Sequence, residues 1–465
     1  MTPIPLTFTD KLQEFNDCSE SQKSAIDEIT KEFEINTDKL KKISEHFRNE
    51  MNKGLEKHGQ TVAMVPSYVT GIPTGKEVGT FLALDLGGTN LRMCQVNLEG
   101  DGKVSVRQQK YKVSDSLKNG DARHLFDYLA DCVDKFLSEF NISSSAEDKL
   151  KLGFTFSFPV DQTAINKGNL IYWTKGYTAS GAVGKDVVFM LQDSLNRKVV
   201  PVEVTALVND TVGTLLAHAY KHSNTLLGVI LGTGTNGAYF EKISNIKKLK
   251  SFSSNADHMV INIEWGAFDN ERKVLPLTMF DNKLDRKSNN PRKQALEKFI
   301  SGMYLGEIAR NVLLNLIDRT LLFDGFSSKD LNNQYYFETE YMSTIEADDT
   351  NTLEKTKRIL EESLNLPSTT LTDRQIVKRV CQLVGLRAAR LSAAALSAVI
   401  SQCNVPESGC NIGIDGSLFL FYPSFKERIK RALKECLGPN ADKIELDLAP
   451  DGSGVGAALA AMLSA

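Results

Sequence analysis

Three short stretches of this 465-residue chain gather carboxylates, amides and bare glycine turns, and their spacing suits phosphate and hydroxyl chemistry. DLGGTN (85–90) and LGTGTN (231–236) each follow an apolar run. Glycines let a turn approach a ligand closely and leave backbone N–H groups unshielded, and threonine or asparagine adds short donors; together they make a nest for phosphate oxygens. Two nests facing each other across a cleft could hold two phosphates of one nucleotide. Asp85 cannot bind phosphate, but a carboxylate beside it can hold Mg²⁺ directly or through water. The third stretch, LVNDTVGTLLAHAY (207–220), is an apolar strand ending in Asn209 and Asp210 and running into an amphipathic helix. A carboxylate there can accept a proton from a substrate hydroxyl. Taken singly, each turn also reads as a plain hairpin closure and Asp210 as a helix N-cap; the aspartate beside the first turn and the second turn in the other half favour the phosphate reading. GIPTGKE (71–77) is one residue short of a P-loop and has Glu77 where serine or threonine belongs, and GTGTNG (232–237), though it has GxGxxG spacing after a strand-like run, leads into another strand-like run rather than a helix.

The elements that must position these groups are legible in the periodicity. The first ~60 residues read as helices, with apolar positions at helical spacing in IDEITKEFEI and LKKISEHFRNEM. PSYVTGIPTGKEVGT (66–80) is a connector broken by proline and glycine. FLALDL, LRMCQVNL and KVSVRQQKYKV follow as an antiparallel meander. RHLFDYLADCVDKFLSEF (123–140) carries Leu125, Phe126, Leu129, Cys132, Val133, Phe136, Leu137 and Phe140 on one helical face, and LKLGFTFSF is the next strand. A similar order restarts near residue 226 with LLGVILGTGTNGAYFE and HMVINIEW. Long helices follow near 291–317 and 375–403, then NIGIDGSLF, another helix, KIELDLAP and a last helix opening at DGSGVGAALAAMLSA. The expectation is a duplicated α/β architecture with a cleft between its halves.

Length makes two domains the expectation. With 42% apolar and 24% charged residues and a formal charge of -3, neither disorder nor a nucleic-acid surface is indicated. The apolar stretch 386–403 contains Arg387 and Arg390, falls short of a bilayer span and reads as a core helix. No basic segment followed by an apolar run opens the chain, so no secretory leader is expected and the cytoplasm is the expected location. The seven cysteines are scattered without a CxxC pair, and most read as buried thiols. The six histidines are dispersed, none with a partner at metal-ligand spacing, and read as structural.

The motifs together resemble the hexokinase family over nearly the whole chain. LALDLGGTNLR resembles the family's first phosphate motif, FTFSFPVDQ and YWTKGY its sugar-binding segment, and LVNDTVGTL its catalytic segment. LGTGTNGAYFE resembles the second phosphate motif, INIEWGAFDN and LEKFISGMYLGE further sugar contacts, and IGIDGSLF the adenosine motif. The resemblance implies an actin-like ATPase (ribonuclease H-like) fold with two domains and a cleft between them. Residues 1–65 would be N-terminal helices packing on the large domain, 66–208 the small domain, 209–450 the large domain and 451–465 a C-terminal helix returning to the small domain.

The implied activity is ATP-dependent phosphorylation of glucose, and of mannose or fructose among other hexoses, at the 6-hydroxyl, the first step of glycolysis. ATP and Mg²⁺ are the implied cofactors. Carried over residue by residue, Ser157, Thr174, Lys175, Asn209, Asp210, Asn236, Glu264 and Glu297 hold the sugar, with Asp210 as general base. Lys175 and Arg92 neutralise charge near the transferring group. Asp85 orients hydrated Mg²⁺, Gly87, Gly88, Thr89 and Asn90 with Gly232, Thr233 and Gly234 cradle phosphates, and Lys110 and Ser417 are further nucleotide contacts. In isolation Lys175, Glu264 and Glu297 would read as solvated surface charges and Ser157 as a plain strand serine. In DGSGVGAAL, Val455 stands where some relatives carry a basic residue. The segment after TKGY leans toward fungal glucokinase over the broad hexokinase type. The alternative is a glucose-binding sensor of hexokinase fold with little turnover. Monomer and homodimer both stay open. Closure over the substrate, hinged at PSYVTGIPTG and around Asn209, is expected because a kinase must keep water from ATP.

Overall fold

The computed structural model describes residues 17–464 apart from 88–89, 144, 146, 250–251, 253–254, 405–407 and 451. Its first two helices, Glu20–Phe33 and Thr37–Glu56, begin on side-chain caps: Ser19 forms a capping box with Gln22, and Asn36 accepts the N–H of Lys39. Their apolar faces, among them Ile29, Phe33, Ile43 and Phe47, join the core that covers the second of two main sheets. β1 (Val65–Pro66) then pairs antiparallel with β11 (His258–Asn262) at the edge of that sheet.

The first sheet comprises β2 (Val78–Leu86), β3 (Asn90–Gly100), β4 (Lys103–Lys112), β5 (Leu150–Phe156) and β8 (Val202–Val208) in the order β4-β3-β2-β5-β8. β2, β3 and β4 form the expected antiparallel meander, while β5 lies parallel to β2 and β8 parallel to β5. The period of two along β2 sends Leu82, Leu84 and Leu86 to a core shared with helices Ala122–Glu139 and Val187–Arg197. Ala83 faces the other way, toward the C-terminal helix Gly452–Leu463. Asp85 therefore shares the face of Ala83. A separate hairpin of β6 (Val160–Ala164) and β7 (Lys167–Leu170) lies between β5 and the helix Val187–Arg197 in sequence.

The second sheet repeats the plan. β9 (Thr225–Leu231), β10 (Thr235–Lys242) and β11 form an antiparallel meander, and β12 (Cys410–Asp415) and β13 (Ile444–Leu448) run parallel to β9, in the order β1-β11-β10-β9-β12-β13. The duplicated order expected from sequence is thus present, with β1 added at one edge.

Helix Asp210–Lys221 follows the first sheet, and helix Gly452–Leu463 follows the second; the two cross between the sheets. Glycines set how closely they approach: a Cβ at Gly456 would lie 1.9 Å from the Gly213 carbonyl oxygen, and one at Gly153 of β5 1.9 Å from that of Ala457. Val208, Val212, Leu216, Ala458 and Leu459 fill the core there.

Two expectations need correction. The helix near 291–317 is two helices, Ala295–Ile300 and Gly302–Asp318, broken at Ser301, whose ψ of 150° is extended. The break lets Gly302 N–H donate to the carbonyl of Gly232 at 2.7 Å. The helix read at 375–403 spans Leu371–Cys403 and is long and apolar enough by length and composition to cross a membrane. It is buried as a core helix, and its Arg387 is held by Asp281 at 2.7 and 2.8 Å between the rings of Phe33 and Phe299.

Candidate active site

Strand β8 ends in the buried Leu207 and Val208, and the chain turns there into its helix. The Asn209 carboxamide oxygen accepts the N–H of Thr211 at 3.0 Å, so Asn209 is the N-cap and Asp210 the first helical residue. That settles the capping alternative: Asp210 is not the N-cap. Its Oδ1 accepts the same Thr211 N–H at 2.9 Å, and the Ser157 hydroxyl hydrogen-bonds its carboxylate. Burial pushes the Asp210 carboxyl above its ordinary range and Asp85 adds to the rise, while Lys175, Thr211 and Ser157 oppose it. Such a shift moves a carboxylate toward useful basicity near neutral pH.

A polar network joins Asn209 to the second sheet. Thr211 Oγ1 donates to Asn209 Oδ1 at 2.6 Å, and Asn236 Nδ2 donates to Asn262 Oδ1 at 2.7 Å. Asn262 Nδ2 donates in turn to Glu264 Oε1 at 2.7 Å, and Glu264 N–H to Asn236 Oδ1 at 3.1 Å. Glu264 sits in the left-handed region at φ 57°, as does Lys175 at φ 54°, a conformation that costs a non-glycine residue roughly 1–3 kcal/mol and needs surrounding bonds to persist. Glu297, on helix Ala295–Ile300, accepts the N–H of Thr235 at 3.1 Å through Oε2, which lies where a Cβ at Gly234 would meet it at 3.0 Å. Burial raises the pKa of both glutamates. Lys175 is the common cationic neighbour of Asp210, Glu264 and Glu297, and its Nζ lies 5.6 Å from the Phe158 ring centroid. Thr174 begins the same turn, its carbonyl accepting the N–H of Tyr177 at 3.0 Å. Three partly desolvated carboxylates, two amides and one ammonium can together engage several hydroxyls of one ligand.

On the other side of Asp210, Asp85 stands cross-strand from Arg92. Its Oδ2 accepts Arg92 Nη2 at 2.9 Å and Ser453 Oγ at 2.8 Å, so Arg92 is committed to Asp85 here. Gly87 N–H donates to Asn90 O at 3.1 Å, and Tyr177 OH donates to Gly87 O at 3.1 Å, closing the first turn; Gly88 and Thr89 lie outside the described residues. Lys110 stands exposed on β4, cross-strand from Arg92.

The second turn, Gly232 to Gly234, lies against the N-terminus of helix Gly302–Asp318: Met303 N–H donates to Thr233 O at 3.2 Å. Helix N-termini favour anions. Thr233, Gly302, Met303, Ser417, Leu418 and Phe421 line one open cavity, so the second phosphate turn and the adenosine motif share a single pocket. Gly416, at φ 128°, makes the junction possible, since a Cβ there would meet Leu231 O at 2.2 Å.

Sequence reasoning missed Asn262, Thr211, Ser453 and Tyr172. Asn262 lies two residues before Glu264 and so on its side of an extended segment, a signal that was there to read. Tyr172, in YWTKGY, is close enough to Glu264 and Glu297 for both to raise its phenol pKa beyond the effect of burial. Ser453 reaches Asp85 from 368 residues away, and nothing local announces that contact.

Comparison with known proteins follows this geometry. Two family models, each described as Hexokinase, match residues 25–220 and 226–463. The chain is 42% identical over 441 residues to a hexokinase of Kluyveromyces lactis, covering 93% of this chain and 90% of that protein. It is 41% identical over 485 residues to Glucokinase-1 of Saccharomyces cerevisiae, covering 95% and 97%. The solved hexokinase of Schistosoma mansoni complexed with glucose superposes with a TM-score of 0.86 at 36% identity, covering 96% of this chain and all of that one.

Proposed function

This chain belongs to the hexokinase family, with its actin-like ATPase fold, and on that premise we propose that it transfers the γ-phosphoryl group of ATP to the 6-hydroxyl of glucose, with Asp210 as general base. The observation that carries this reading is the convergence of Asp210, Glu264 and Glu297 on Lys175. The family activity is ATP-dependent phosphorylation of a hexose. Asn209, Asn236, Glu264 and Glu297, with Ser157 and Thr174, orient the sugar, and Asp210 accepts the hydroxyl proton as the oxygen attacks phosphorus. Phosphoryl transfer runs through a loose transition state, so positioning and charge neutralisation supply most of the acceleration. Lys175 lies where it can offset the charge of the anionic groups. The turn that begins at Gly87 and ends at Asn90 on one side and the turn Gly232 to Gly234 on the other cradle the phosphates, and the cavity at Ser417 accepts the nucleoside.

The donor set fits a hydrated divalent cation. Among the described residues the bonds to the Asp85 carboxylate fall on Oδ2, and Oδ1 can accept metal-bound water. Mg²⁺, bound with ATP, supplies neutralisation of phosphate charge.

We favour glucose over fructose on the TASGAVGKDVV segment after TKGY. A coupled assay of ADP release, with Mg·ATP and glucose, mannose, fructose and galactose, tests the proposal beside Asp210→Ala. Turnover on glucose that falls by about 10²–10⁴-fold in the variant is expected, with the glucose-to-fructose ratio separating a glucokinase from a broad hexokinase. Glucose binding without turnover by the unaltered protein would overturn the catalytic reading and leave a sensor.

A further inference from the structure

At the far end of the Asp210 helix lies a second cluster of chemistry-bearing side chains that the phosphoryl-transfer site does not use. His218 and His222 are four residues apart on one helical face, the HxxxH spacing of paired metal ligands. This corrects the sequence reading that no histidine has a partner at such spacing. Their rings stack with centroids 4.6 Å apart at 28°, and Asp447, near the end of β13, places Oδ2 3.7 Å from His218 Nε2. We propose that His218, His222 and Asp447 form a binding site for a divalent transition-metal ion of the zinc class.

The hydrogen bonds around His218 fix which nitrogen faces the cluster. Thr225 Oγ1 lies 2.6 Å from the carbonyl oxygen of His222 and donates its one hydrogen there. The same oxygen is 2.7 Å from His218 Nδ1 and must accept, so Nδ1 carries the proton and Nε2 presents its lone pair. His218 is only 3% exposed, and its Nε2 is buried without a hydrogen-bond partner. Lone pair and carboxylate thus face each other with no hydrogen between them, an arrangement that calls for a cation.

The donor set indicates which ion. Two imidazole nitrogens and one carboxylate oxygen suit a borderline ion such as Zn²⁺ and leave a fourth position for water. One donor atom from each of the three residues lies within 4.8 Å of the others. Tetrahedral bonds of about 2.0–2.1 Å require donors roughly 3.3–3.4 Å apart, so the His218–Asp447 pair needs only a slight closure. His222 is exposed at the helix C-cap and can turn inward. Space for the His218 ring is reserved by Gly413, the register partner of Asp447 on β12, where a Cβ would lie 2.6 Å from the imidazole Cγ. Thr225 is then the outer partner that orients a ligating histidine. A bound ion would join the C-terminal end of the helix that begins at Asp210 to the last strand of the second sheet.

The full chain, stripped of metal and free of ATP, is titrated with Co²⁺ and then with Zn²⁺ in competition. Expected is one Co²⁺ per chain with the ligand-field bands of a four-coordinate nitrogen and oxygen site, displaced by Zn²⁺. His222→Ala, at an exposed position, and Asp447→Asn should each weaken Zn²⁺ binding at least about tenfold, and Thr225→Val about 10–100-fold. In zinc-free buffer His222→Ala keeps hexose phosphorylation unchanged, which shows that it folds. Millimolar binding only, thiolate-to-cobalt charge-transfer bands, or Zn²⁺ affinity unaltered in His222→Ala would each overturn the proposal.

Discussion

Asn262→Ala probes a residue that no motif singled out. Asn262 is 7% exposed and holds Glu264 Oε1 at 2.7 Å while accepting Asn236 Nδ2 at 2.7 Å. Truncation removes a donor to a charged group, worth about 1.5–3 kcal/mol, and strands a neutral one worth about 1 kcal/mol. The loss divides between folding and ligand binding. At ~1.4 kcal/mol per tenfold, a share of about 1.5–3 kcal/mol weakens glucose binding by roughly 10–100-fold. The sign of the pH dependence follows from Glu264. Its pKa is already raised by burial, and the Asn262 bond holds it down. Losing that bond raises it further, so the acid limb of glucose binding, which needs the ionised carboxylate, moves to higher pH. Because the folded pKa lies above the unfolded one, stability linked to Glu264 is fully present below the unfolded pKa and lost as pH rises through the folded value. The variant is therefore destabilised more at neutral than at acid pH. Isothermal titration with glucose across pH, beside calorimetric unfolding, measures both effects. A folded variant with unchanged affinity and an unshifted acid limb would refute the reasoning.

Two further outcomes follow from the packing. Gly456→Ala drives a Cβ to 1.9 Å from Gly213 O, and overpacking of this kind costs about 1–3 kcal/mol. The melting temperature should fall by about 1 °C per kcal/mol for a chain of 465 residues, and an unchanged value would mean the two helices do not meet at these glycines. Trp173 is half-buried among Phe156, Phe158 and Tyr177 beside Lys175, whereas Trp265 is fully buried with its ring against Gly237. A glucose-induced change in intrinsic fluorescence should vanish in Trp173→Phe and survive in Trp265→Phe; the reverse pattern would move the ligand-dependent change to the second sheet.

The sequence by itself determined the elements and the chemistry of the turns. Period-two and period-3.6 apolar patterns mark β2, β3, β9 and the helix Ala122–Glu139, because burial of one face is a local constraint. DLGGTN, LGTGTN and VNDT carry a legible set of donors and acceptors because glycine backbone and short polar side chains express their chemistry within a few residues. Contacts across the chain were not legible. That Ser453 and Arg92 share Asp85, that Asn262 bridges Asn236 to Glu264, and that Asp447 meets His218 depends on which strands neighbour in a sheet and on glycines that let two helices touch. Even a pair on one helix, His218 and His222, gained meaning only when Thr225 fixed the tautomer and β13 supplied the carboxylate. Local sequence carries periodicity and donor type. The direction of a lone pair, the desolvation of Asp210 and the partner of a buried charge arise from the surrounding chain, so the tertiary structure alone decided them.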